Sequence, residues 1–244
     1  MDTKTALLQR RSELSPAKQA LLEKRRRREP VGEGTRMTVT VPRGVPTIHG
    51  DAALSFAQQR FWFLQQLEPE SAVYNEPMAF KLIGALDTVA LKQAIQEIVR
   101  RHEVLRGTYA LVDGQVTQIV SANLHESFTI KLIDLRDVPA AEREAALQCT
   151  MTQQAQLPFD LEREVPWRMI LLKLDEEEHV VLTVMHHSIT DAWSMEVFAR
   201  ELATLYAAFS TKQLSPLPEL PLQYTDYARW QRQRGRQGAG FCGR

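Results

Sequence analysis

Met185-His186-His187-Ser188-Ile189-Thr190-Asp191-Ala192-Trp193-Ser194 holds two adjacent histidines and an aspartate five residues after the first. The residues before it, His179-Val180-Val181-Leu182-Thr183-Val184-Met185, are apolar and β-branched, a run of buried-strand length and too short for an ordinary helix. After it, Phe198, Leu202, Leu205 and Phe209 recur at helical spacing, with Glu196, Arg200 and Glu201 between them. The stretch therefore reads as a strand-to-helix turn. Successive strand side chains point to opposite faces, so His186 and His187 diverge unless the strand has already ended. One histidine is expected to serve the architecture and the other the chemistry.

Upstream of this turn, Trp167 to Leu174 is predicted to pair with Val180 to Val184 across the acidic turn Asp175-Glu176-Glu177-Glu178. Ala140 to Gln156 reads as a helix, Phe128 to Ile133 as a strand, and Thr108 to Val112 with Gln115 to Val120 as a hairpin through Asp113-Gly114. Asp87 is placed to cap a helix whose Leu91, Ile95 and Ile98 form an apolar stripe, and Pro77 to Ile83 precedes it as a strand. Ser55 caps an earlier helix that sets Ala57, Phe61 and Leu64 on one face, with Arg60 nearby. Strands and helices mixed in this way predict an α/β fold, a two-layer α/β sandwich. The chain divides into a helical leader or connector over 1–28, a Pro- and Gly-marked flexible linker over 29–50, a folded lobe over 51–230, and a tail over 231–244. The leader has Ser15-Pro16 placed as cap and first helical residue and ends in Arg25-Arg26-Arg27-Arg28, a run read as a solvated helix end. The tail lacks an apolar period and is expected to be disordered after a truncation.

Four stretches, in order, resemble the condensation domains of nonribosomal peptide synthetases. His186 to Ala192 resembles that family's His-His-x-x-x-Asp-Gly core, and Ser55-Phe56-Ala57-Gln58-Gln59-Arg60-Phe61-Trp62-Phe63-Leu64 its first motif. Arg101-His102-Glu103-Val104-Leu105-Arg106 with Gly107-Thr108-Tyr109 is similar to the second, and Tyr224-Thr225-Asp226-Tyr227-Ala228-Arg229-Trp230 to the fourth. The resemblance implies a chloramphenicol acetyltransferase-like fold of two lobes in a V, with the substrate tunnel between them. Such domains run to roughly twice this length, so the chain reads as the N-terminal lobe, one of the usual two.

The implied activity is condensation: amide-bond-forming acyl transfer between carrier-protein-bound acyl or peptidyl and aminoacyl thioesters, incomplete in the isolated chain. The implied partners are peptidyl and aminoacyl carrier proteins, adjacent synthetase domains and a missing C-terminal lobe. No cofactor is bound directly; the substrates ride on the 4'-phosphopantetheine of the carrier proteins. His187 is the position that the family uses at the reacting centre. His186 and Asp191 fall to structural support, with Arg60 and Arg106 as candidate salt-bridge partners for Asp191. Ala192, Trp193 and Ser194 are neighbours of the tunnel. Two residues depart from the family: Ala192 stands where glycine is usual, which would matter if the position needs a positive φ or a close approach, and Gly107 stands for threonine, which loosens the segment after Arg106.

A thioester is already activated, so catalysis can rest on holding amine and carbonyl in attack geometry. Two roles stay open for His187: general base, contributing on the order of 10² to 10⁴ in rate, or hydrogen-bond partner of the amine and the developing charge. Ser194 has no Gly-x-Ser-x-Gly elbow around it and reads as a helix cap. Adjacent strand histidines are poorly placed for one metal ion, and neither His-Glu-x-x-His nor Cys-x-x-Cys occurs, so no metal is expected. The competing class is a non-catalytic remnant or carrier-protein docking module; a free-standing acyltransferase acting on a small acyl thioester is a third reading.

Composition narrows the rest. Hydrophobic residues make up 44% of the 244, enough for a sizeable core. Lys+Arg and Asp+Glu are each 30, which gives no global argument for nucleic acid, and the tail lacks the interleaved aromatics of an RNA binder. Cys149 and Cys242 form neither a metal spacing nor a disulfide framework, and there is no membrane-spanning run or signal-peptide pattern, so a cytoplasmic location is expected.

Overall fold

The computed structural model of the chain describes residues 52–122 and 128–239. They form, in order, β1 (Ala52–Ala53), α1 (Phe56–Leu67), β2 (Asn75–Ile83), α2 (Thr88–Arg101), β3 (Gly107–Val112), β4 (Gln115–Val120), β5 (Lys131–Asp134), α3 (Ala140–Gln156), β6 (Trp167–Asp175), β7 (Glu178–His186), α4 (Ala192–Ser210) and α5 (Tyr224–Ala239). A single 3-10 turn, Glu103–Arg106, joins α2 to β3. The expected leader over 1–28, the linker over 29–50 and Cys242 lie outside the described residues.

The apolar strands β6 and β7 pair antiparallel from Trp167↔Met185 to Asp175↔Glu178 and occupy the middle of a four-stranded sheet, β2-β7-β6-β5. Strand β2 runs antiparallel to β7, with Asn75 opposite His186 and Ile83 opposite Glu178; β5 is parallel to β6. Alternate residues of the central pair feed two separate cores. Trp167, Met169, Leu171, Val181 and Met185 meet Leu91, Ile95 and Ile98 of α2 and Phe198, Leu202 and Leu205 of α4. Ile170, Leu172, Leu174, Val180, Leu182 and Val184 point the other way, onto Leu54, Tyr109, Leu147 of α3, Phe159 and Leu161. Burial on both faces is why β7 reads as an unbroken apolar run rather than an alternating one. The α/β fold is thus organised by the strand that the sequence placed at its centre.

A second sheet, β1-β4-β3, contains the predicted hairpin. Its turn residues Asp113 (φ 49°) and Gly114 (φ 73°) both take the positive φ that a tight two-residue turn requires. Asp87 caps α2 as expected, accepting from the amides of Val89 and Ala90 at 3.0 and 2.9 Å.

Three elements differ from the sequence reading. Helix α1 buries Gln58 and Phe61, while Ala57 is exposed. The reason is polar: Ser55 Oγ accepts from the Gln58 amide and Gln58 Oε1 accepts from the Ser55 amide, a capping box that draws an uncharged polar side chain inward. Strand β5 begins at Lys131, not Phe128, because Phe128 stacks on Trp167, with ring centroids 4.4 Å apart. Helix α5 continues through Ala239, which corrects the expectation of a disordered tail from Gln231 onward for residues 231–239. Gln and Arg are good helix formers, and Arg232 is held by Leu54 O and Gln59 Oε1, each at 2.7 Å, and lies over the Phe56 ring. Among the described residues no helix is long and apolar enough to cross a membrane.

Candidate functional site

Strand β7 ends at His186, and there the two histidines part. The His186 amide donates to Pro166 O and the His187 amide to Tyr74 O, both at 2.8 Å, so the chain is held from both sides as it leaves the sheet. The His186 ring is buried, edge-on to Phe61, Tyr74 and Phe159. Burial, helped by the neighbouring His187, pushes its pKa down to about 4. Its Nδ1 accepts from the Ser188 amide at 3.1 Å, which leaves the ring hydrogen on Nε2.

The His187 ring is 36% exposed and stacks on Phe61 at 5.4 Å. Its Nδ1 lies 2.9 Å from Thr190 O. A carbonyl oxygen can only accept, so Nδ1 carries the hydrogen and Nε2 of the neutral ring presents a lone pair. The neutral ring is therefore a hydrogen acceptor at Nε2, and His187 lines a cleft of about 470 Å³. Arg60, Phe61, His102, Leu105, Met185, Asp191, Trp193, Ser194, Phe198 and Tyr224 also line this cleft. It draws together residues from all four sequence stretches.

Asp191 is the N-cap of α4. It accepts from the Ser194 amide at 2.8 Å and from Ser194 Oγ at 2.6 Å, and these bonds hold its carboxyl below the usual carboxylate range. The expected ion pair with Arg60 or Arg106 is not among those that the described residues make. Arg60 lies over the Phe61 ring, 4.9 Å from its centroid, and Arg106 donates to Ser121 O at 2.8 Å and stands 3.8 Å from Glu103. The carboxylate is turned into its own helix, out of reach of either guanidinium. Ser194 is accordingly the third residue of the helix rather than its cap.

The two departures from the family pattern have local explanations. Ala192 is the first residue of α4 and is absent from the positive-φ residues and from the cleft wall, so the methyl group meets neither anticipated obstacle. A side chain on Gly107 would meet Gln118 Nε2 at 2.1 Å; the glycine makes room for the buried Gln118 rather than a loose segment. Of the tunnel neighbours, Trp193, 73% exposed, and Ser194 both line the cleft.

Sequence reasoning passed over several contributors. Glu76 of β2 brings Oε1 to 3.4 Å from His187 Nε2, and the signal available was a lone acid at the start of a mostly apolar strand. Ser55 Oγ and Tyr224 OH meet at 3.0 Å, joining the first and fourth stretches. Beneath the cleft His102 Nε2 contacts Glu201 at 2.8 Å, Gln223 Nε2 donates to Arg101 O, and Thr225 Oγ1 donates to Glu103, tying the second and fourth stretches to α4. Among the described residues no three His, Cys, Asp or Glu side chains are grouped to hold a metal ion.

The family model described as "Condensation domain" matches residues 48–239. Chondramide synthase cmdD of Chondromyces crocatus is 42% identical over 204 residues, which are 83% of this chain and 5% of that protein. The starter condensation domain of rhizomide synthetase RzmA superposes with a TM-score of 0.68 at 22% identity, covering 76% of this chain and 44% of that one. The X-domain solved in complex with OxyB from teicoplanin biosynthesis gives 0.69 at 31% identity, over 83% of this chain and 42% of that one. The chain thus spans less than half of these solved relatives and a small fraction of the synthase.

Proposed function

Since this chain belongs to the condensation-domain family, we propose that residues 51–239 are the N-terminal lobe of a condensation enzyme of nonribosomal peptide synthesis, active when a second lobe closes the cleft. The observation that carries this reading is the placement of His187 in the wall of the cleft with its Nδ1–H committed to Thr190 O, which leaves Nε2 of the neutral ring to accept from an amine. The reaction joins a carrier-bound acyl thioester to the amine of a carrier-bound aminoacyl thioester, each on a phosphopantetheine arm. The amine nitrogen attacks the thioester carbon, the C–N bond forms, the C–S bond breaks, and the proton accepted at Nε2 leaves with the thiolate. His187 supplies the proton acceptor, and the walls supply orientation, the larger contribution for an activated acyl group. His186 and Asp191 position the turn: one is a buried neutral ring and the other a helix cap. Arg60, Trp193 and Ser194 flank the entering chain.

A docking module without turnover is the second reading. It draws on the likeness to an X-domain solved in complex with OxyB.

The test is amide formation by the purified chain, given donor and acceptor carrier proteins loaded as thioesters, with a separately expressed C-terminal lobe present or absent. Product that needs both the second lobe and His187 is expected. Product that survives His187→Ala would remove the proton-acceptor role from His187, and no product with either partner arrangement would replace this reading with the docking one.

A further inference from the structure

The contact between Glu76 and His187 places a carboxylate beside the nitrogen that faces the reacting groups. Glu76 sits on the edge strand β2, on the same face as Met78 and Leu82, which pack against the α2/α4 core. It ends that apolar row with a carboxylate 3.4 Å from His187 Nε2. The His187 ring hydrogen is committed to Thr190 O, so Nε2 of the neutral ring is an acceptor, and an ionised carboxylate is also an acceptor. Two acceptors at this separation repel unless a hydrogen lies between them, and that hydrogen comes either from protonation of the ring at Nε2 or from a donor N–H that enters beside it. Asp191, a carboxylate that lines the cleft, is occupied by Ser194.

We propose that Glu76 and His187 together form the subsite for the acceptor substrate's primary ammonium group. Glu76 holds the cation by charge; the ammonium gives up one proton to solvent to become the neutral amine that attacks, and Nε2 takes the second proton as the C–N bond forms, which leaves an imidazolium facing Glu76 until that proton passes to the departing thiolate. This rests on the condensation reading and adds to it a residue that selects the nucleophile. An α-amino group near neutral pH is largely an ammonium, so a carboxylate on the approach both concentrates the acceptor and steadies the charge that its proton leaves on the ring.

The test is binding to the 244-residue chain, followed by NMR, of two stable amide mimics of the thioester: N-alanyl-N'-acetylethylenediamine and its desamino counterpart, N-propionyl-N'-acetylethylenediamine. Both Glu76 and His187 are partly open to solvent, so the ammonium compound is expected to bind two- to fivefold more tightly, the range of a half-exposed ion pair. Glu76→Gln should abolish this preference with an unchanged melting curve, and Glu76→Asp should restore part of it. An equal affinity of the two compounds, or a preference that persists in Glu76→Gln, overturns the Glu76 assignment and leaves the condensation reading standing. Binding of neither compound overturns the subsite, while the condensation reading stands or falls by the two-lobe amide-formation test.

Discussion

Acidification from pH 7 to pH 5 should destabilise this lobe through one ring, His186. In the unfolded chain a histidine titrates near 6.5; in the fold, burial among Phe61, Tyr74 and Phe159 lowers the value to about 4. Between these values the unfolded state binds the proton and the native state does not. The contribution of the neutral ring is therefore full above about 6.5 and is lost as pH falls toward 4. With these two values, linkage predicts a loss of about 2 kcal/mol between pH 7 and pH 5. For a domain of this size that lowers the melting temperature by about 4–8 °C. The assay is urea unfolding followed by tryptophan fluorescence at both pH values, on the unaltered chain and on His186→Asn. The variant keeps an acceptor for the Ser188 amide but cannot titrate. Carboxylates titrate alike in both proteins, so the difference between their pH dependences isolates the ring. Dependences that coincide within about 0.5 kcal/mol would show that His186 is solvated or paired in the fold, and the burial argument would fail.

Three further outcomes follow from local geometry. Asp191→Ala should cost about 1 kcal/mol of stability by removing the α4 cap, whereas Asp191→Asn, also a good cap, should cost under about 0.5 kcal/mol in the same unfolding assay; equal losses would point to an ion pair instead. Gly107→Thr should destabilise by about 1–3 kcal/mol through Gln118, and a double-mutant cycle with Gln118→Ser should recover part of it; strict additivity would contradict the contact. Ala192→Gly, which restores the family's usual residue, should lower stability by up to about 1 kcal/mol with no gain in condensation rate, because Ala192 opens a helix without strain; a rate increase would show that the methyl group obstructs the substrate.

Much of the architecture was legible because the local signals were strong and agreed with each other. The Asp87 and Ser55 caps and the Asp113-Gly114 turn follow from backbone groups that need partners and from φ values that few residues take. The errors fell where a distant side chain overrode a local pattern. Phe128 left its expected strand for the face of Trp167, and α5 outran its apolar period because Arg232 found Leu54 O and Gln59. The expected inner face of α1 held Ala57, Phe61 and Leu64 without Gln58, yet the capping box and Tyr109 bury Gln58. Asp191 was given an arginine, but its own helix amide lies nearer than any guanidinium.

The sequence alone determined the strand-to-helix turn at His186–Asp191, the order of the elements and the divergence of two adjacent histidines, because hydrophobic period and side-chain alternation are properties of neighbours along the chain. Which ring is buried, which nitrogen of His187 faces the cleft and which carboxylate stands beside it were decided only by tertiary structure. Those outcomes depend on Tyr74 O, Thr190 O and Glu76, and no spacing along the chain encodes the approach of β2 to the end of β7. A strand's register fixes such distances only after the sheet has formed.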